Sequence, residues 1–159
     1  MEKQGVFYAV SVGPGDPELL TRQACRVLTE CGVVAAPRMK SGRMLALDIA
    51  RRALGSELDG KTILPLQFAM SRDAAVLRAS HETAASAVRL FLDAGQDVAM
   101  LNLGDVSIYA TFGYLQEILQ ALIDWAHQGP ASARVDAVVV GNVPDGGEPP
   151  QGFTQRETA

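Results

Sequence analysis

Only two cysteines, two histidines and one tryptophan occur in 159 residues, and aromatic residues make up 6%. Cys25 and Cys31 stand six apart on one expected helix, which is not metal-ligand spacing, and no histidine cluster accompanies them. The sequence therefore gives no metal centre, and both cysteines are expected to pack as small apolar residues in a reducing compartment. No apolar run approaches the ~20 residues of a membrane span. The run Val6 to Val10 is too short for a signal core, because Gly13-Pro14-Gly15-Asp16 follows almost at once. A cytoplasmic protein is expected. Basic runs are missing too, and a net charge of −4 argues against nucleic acid or an anionic membrane as partner. There is no Ser-His-Asp order, Cys-His pair or carboxylate pair, so hydrolytic chemistry has no support. His81 falls on the apolar stripe of a helix and reads as a partly buried packing residue. His127 ends a helix, where its charge suits the dipole.

What is present is ordinary in bulk and specific in arrangement. A hydrophobic fraction of 48% with 20% charged residues suits one globular domain of ordinary core size. Short apolar, β-branched runs alternate with helical stripes along the chain. Val6 to Val12, Val33 to Ala36, Lys61 to Phe68 and Val98 to Leu101 read as strands, with Pro65 marking an edge, a bulge or a strand end. Between them, stripes such as Leu20, Ala24, Val27, Leu28 and Cys31 read as a helix, here stopped by Gly32. Further helices are expected from Met44 to Leu54, after Ser71-Arg72-Asp73, and from Phe112 to His127. Val135 to Val140 reads as a fifth strand. Alternation of this kind, with short loops, indicates an α/β fold with a mainly parallel sheet flanked by helices.

Half of the eight prolines and five of the fifteen glycines fall from Gly129 onward, so the end of the chain reads differently from the rest. Residues 1–143 are expected to form the ordered domain, and 144–159 an irregular tail.

Two loops, each at the C-terminal end of a strand, carry a Gly-Asp pair. The first is Gly13-Pro14-Gly15-Asp16-Pro17-Glu18, in which Asp16 can cap a helix with Pro17 at its first position. Glycines between strand and helix expose backbone N–H groups to an anion. Yet the loop is neither a Walker A loop nor Gly-x-Gly-x-x-Gly, since Glu18 stands at the third glycine position. A tight structural turn fits it equally well. The second loop is Gly104-Asp105-Val106-Ser107-Ile108-Tyr109-Ala110-Thr111. Its Asp105 could accept hydrogen bonds from a ribose or an amino group, or serve as an Asx-turn. Tyr109 could stack on a ligand or fill the core.

Taken together, the loops resemble those of the tetrapyrrole methylase family, which uses S-adenosylmethionine. The likeness rests on Val12 to Thr21 and on Asp97 to Thr111, and it runs from about Tyr8 to Leu119. Within the family it is similar to the branch acting on precorrin-2 or cobalt-precorrin-2 at C20 in cobalamin biosynthesis. Leu66-Gln67-Phe68-Ala69-Met70-Ser71-Arg72-Asp73 and Ser107-Ile108-Tyr109-Ala110-Thr111 carry that part of the likeness. The family usually has proline where Val106 follows Asp105.

The resemblance implies a methyltransferase with its cofactor in a cleft between two α/β domains, of which this chain carries the first. It implies that Pro14, Asp105 and Ile108 contact the cofactor. Ser107, Tyr109 and Thr111 would line the same pocket, while Gly13, Gly15 and Asp16 would shape the first loop near the substrate. It assigns no catalytic base and no metal. The expected partner is a small-molecule tetrapyrrole, with a homodimer as the protein association considered. A second reading is a non-catalytic remnant domain that binds another protein or itself. A third, a generic nucleotide-phosphate module, rests on the first loop alone and gives Asp105 to Thr111 no role.

Overall fold

The strand Val98–Asn102 (β4) is buried at all five positions, as a strand must be when helices cover both faces of a parallel sheet. The computed structural model describes residues 4–106 and 111–128. Within them β1 (Phe7–Ser11), β2 (Val33–Pro37) and β3 (Thr62–Leu66) join β4 in one parallel sheet of order β1-β4-β2-β3. The helices α1 (Arg22–Glu30), α2 (Leu45–Leu54), α3 (Ala74–Asp93) and α4 (Thr111–Gln128) follow the four strands in turn. The expected α/β class holds. The expected fifth strand at Val135 to Val140 and the tail 144–159 lie outside the described residues.

Alternation along β4 divides the core. Ala99 and Leu101 pack with Val10, Val12, Leu28, Leu47 and Ile49, so α1 and α2 cover one face. Val98 and Met100 pack with Leu66, Ala84, Val88 and Leu115, so α3 and α4 cover the other. Right-handed crossovers account for this division. The chain moves one way across the sheet from β1 to β2 to β3, keeping its helices on one face. It then reverses to reach β4, which sends α3 to the opposite face. Ala35 and Ala36 on β2 are fully buried, and their small side chains let helices approach closely.

Local chemistry explains the boundaries. Asp73 caps α3, its carboxylate accepting from the amides of Ala75 and Val76 at 2.8 and 3.4 Å. Lys61 donates to the carbonyls of Thr29 and Cys31, both at 2.8 Å, and so satisfies the C-terminal end of α1. One expectation is corrected here. Asp16 and Pro17 open only a short 3-10 turn, Pro17–Leu19, and not the helix itself. Leu20 is extended, and Thr21 caps α1 by accepting from the Ala24 amide at 3.0 Å. The expected β3 is also trimmed, from Lys61–Phe68 to Thr62–Leu66. Among the described residues no helix is long and apolar enough to cross a membrane.

Candidate functional site

In a parallel sheet all strands end on one edge. Here the loops after β1 and β4 leave adjacent strands in opposite directions, since α1 lies on one face and α4 on the other. Such a divergence opens a crevice at the carboxyl ends of the strands, where open α/β sheets hold ligands. Both Gly-Asp loops border this crevice.

They are tied to each other directly. Gly13 and Gly104 form an antiparallel bridge in which the Gly104 amide donates to the Gly13 carbonyl at 3.0 Å. The Ser11 hydroxyl joins the two loops, donating to the Gly104 carbonyl and accepting from the Gly13 amide at 3.2 Å. Below them the Val12 amide donates to the Asn102 carbonyl at 2.9 Å. Bridged residues in such a pair have Cα atoms about 5 Å apart and neighbours add 3.8 Å each, so Pro14 and Asp105 stand within about 13 Å. One extended small molecule can touch both.

Backbone geometry fixes where glycine is needed. Gly13 and Gly104 have φ of 70° and 76°, values that L side chains rarely adopt. A Cβ on Gly104 would meet nothing within 4 Å, so that position faces open space. Pro14, Asp16 and Asp105 are exposed at the rim. Asp16 accepts from the Glu18 amide at 3.0 Å, which makes it a cap for the turn. Thr111 is half-buried at the first residue of α4. Ser107, Ile108 and Tyr109 lie outside the described residues. The sequence reading gave Ser11 no role. It stands at the end of an otherwise apolar strand, two residues before Gly13.

The other candidates fall elsewhere. His81 is half-buried and stacked on Tyr114 at 4.6 Å, with Phe68 tilted against it at 5.8 Å. That fits the packing role expected of it. His127 lies where the side chains are not described. Cys25 and Cys31 are both free thiols. Burial, helped by the Asp97 carboxylate, pushes the Cys31 thiol up to about 11, and the same two causes raise Tyr8. Cys31 and Asp97 precede β2 and β4, so they sit at the amino edge, away from the crevice. A shallow pocket lined by Glu30, Gly32, Thr62 and Gln96 also lies at that edge.

With this geometry in view, the comparisons are specific. The model of the Tetrapyrrole (Corrin/Porphyrin) Methylases matches residues 6–126. The cobalt-precorrin-2 C(20)-methyltransferase of Salmonella typhimurium is 36% identical over 112 residues, covering 70% of this chain and 46% of that protein. The chain spans about half the length of the curated methyltransferases it matches. A crystal structure of a protein described as related to cobalamin synthesis, from Corynebacterium diphtheriae, superposes with a TM-score of 0.57. It is 26% identical and covers 76% of this chain and 49% of its own. A relative of another kind, an acylphosphatase of Acidovorax sp., is 46% identical over 57 residues, covering 36% of this chain and 57% of that protein.

Proposed function

The chain belongs to the tetrapyrrole methylase family, and from that premise we propose that it forms the N-terminal wall of a cytoplasmic, S-adenosylmethionine-dependent methyltransferase. The substrate is precorrin-2 or cobalt-precorrin-2, methylated at C20 in cobalamin biosynthesis, as the names of the curated relatives indicate. The observation that carries the reading is the bridge between Gly13 and Gly104, which joins two loops of family character at one crevice. Pro14, Asp105 and Ile108 contact the cofactor, and Ser107, Tyr109 and Thr111 line its pocket. Gly13, Gly15 and Asp16 shape the loop on the substrate side.

The chemistry asks little of side chains beyond placement. Bound there, S-adenosylmethionine would supply its sulfonium methyl group for in-line transfer to the meso carbon, with S-adenosylhomocysteine as the leaving group and the meso proton passing to a base that none of the described residues is assigned to be. Orientation alone can lower such a barrier by roughly 7–11 kcal/mol at best. Positive-φ glycines suit this task because they let backbone approach the ligand without a Cβ between them.

Calorimetric titration with S-adenosylhomocysteine tests the reading. Weak but saturable binding is expected from one wall of a cleft, because fewer contacts must offset the lost freedom of the ligand. Asp105→Ala should weaken it about tenfold, the usual worth of a hydrogen bond to a charged group. His81→Ala should leave it nearly unchanged. The reverse order of effects would overturn the site. No binding at all would favour the second reading, a non-catalytic domain that associates with a protein partner.

A further inference from the structure

The carboxyl edge of the sheet is divided by charge. On the β1 and β4 side, residues 12–18 and 103–106 carry Asp16, Glu18 and Asp105 and no lysine or arginine. On the β2 side, residues 38–44 carry Arg38, Lys40 and Arg43 and no acid, while the loop after β3 carries Arg72 next to Asp73, the cap of α3. Adjacent strands lie about 4.8 Å apart, so the β2 loop begins one strand-width from the loop of Asp105. The crevice continues that far. α2 and α4 leave β2 and β4 on opposite faces, just as α1 and α4 leave β1 and β4.

The β2 loop is also held in shape. The Arg38 amide donates to the Leu66 carbonyl at 2.7 Å, tying the loop to the end of β3. The Met39 amide donates to the Arg43 carbonyl and the Gly42 amide to the Met39 carbonyl, both at 2.8 Å. Gly42 has φ of 86°, and a Cβ there would lie 3.6 Å from an Arg38 guanidinium nitrogen, so the guanidinium rests over the turn. Arg43 is engaged by Asp48 at 3.3 Å. Arg38 and Lys40 are exposed, and no carboxylate pairs with either among the described residues. Cations on a preformed turn lose little freedom on binding an anion.

We infer that this division sorts the two ligands of the crevice: Arg38 and Lys40 receive carboxylates of a polycarboxylated macrocycle, while Asp105 faces the positively charged cofactor. The inference rests on the methyltransferase reading and deepens it by naming what recognises the substrate. Tetrapyrroles of this class carry acetate and propionate arms around the ring, and guanidinium pairs with carboxylate bidentately. A sulfonium with an ammonium group belongs beside Asp105 by the same rule of opposite charges.

The test uses the full chain and two probes, uroporphyrin III with eight carboxylates and mesoporphyrin with two, titrated by absorbance. The unaltered chain should bind uroporphyrin more tightly, with an affinity that falls as salt rises. The pair Arg38→Gln and Lys40→Gln should weaken uroporphyrin binding about tenfold and leave S-adenosylhomocysteine binding unchanged. Arg51→Gln with Arg52→Gln, an equal change of charge on the exposed side of α2, should alter it less than about twofold. Equal affinity for the two porphyrins, or an equal loss from both variant pairs, would overturn the assignment. Loss of S-adenosylhomocysteine binding in the unaltered chain would instead count against the methyltransferase reading, since that measurement does not depend on the β2 loop.

Discussion

Gly13 and Gly104 face each other with nearly equal positive φ, but they differ in the room around them. Alanine at either position bears the left-handed cost, about 1–2 kcal/mol. At Gly13 the new Cβ also meets the Leu19 Cβ at 3.4 Å, whereas at Gly104 it meets nothing. Urea unfolding should therefore show Gly104→Ala destabilised by about 1 kcal/mol and Gly13→Ala by more; equal midpoints would show that the space around Leu19 yields freely. Cys31 gives a second expectation. Its thiol is held up to about 11 by burial, against 9.0 without it, so the folded state keeps its proton longer than the unfolded chain. Stability from this group is complete below pH 9 and falls as the pH rises toward about 11. Iodoacetamide at pH 8 should accordingly label the half-buried Cys25 well before Cys31. At this scale the glycines and Asp105 were legible because their residue types demand loops. Ser11 was not, since a serine in an apolar run carries no mark of what its hydroxyl will reach, and its partner is far away in sequence.

Among the elements, α1 shows where local reading goes astray. Asp16-Pro17 is a good helix start, and the apolar stripe from Leu20 supports it. But Thr21 offers a second cap four residues before Cys25, and the bond from the Ala24 amide closes the helix there. Thr21→Ala should cost about 1 kcal/mol of stability by thermal or urea unfolding. Asp16→Ala, which frees only a turn outside α1, should cost less. A larger loss at Asp16 would restore the longer helix. α3 was legible because period and capping agreed, with Asp73 at its start, whereas α2, which has no side-chain cap, rested on period alone. Pro65 was read as an edge, a bulge or a strand end, and among the described residues β3 is the outer strand beside β2. Thr62 and Leu66 bond toward β2, so Pro65 lies at a position whose amide would point outward, where its absence costs nothing.

For the molecule as a whole, the strand order was the part that sequence pattern left open. Right-handed crossovers fix on which face each helix lies only once the strand order is known, and they do not say that β4 enters between β1 and β2. That insertion is what brings the two Gly-Asp loops side by side, so the site depended on a fact of long-range pairing. The two rims of the sheet differ in a further respect. Pro65 and Lys61 guard the β3 rim, but β1 has neither proline nor charge from Val6 to Ser11. Val6, Val10 and Val12 bond toward β4, which turns the amides of Phe7, Ala9 and Ser11 outward, with no strand beside them among the described residues. A row of this kind is a template for any passing strand, and proteins usually blunt it with gatekeepers. Light scattering during refolding should therefore rise steeply with concentration, and Ala9→Pro, which deletes the central outward amide, should suppress it even as it lowers stability.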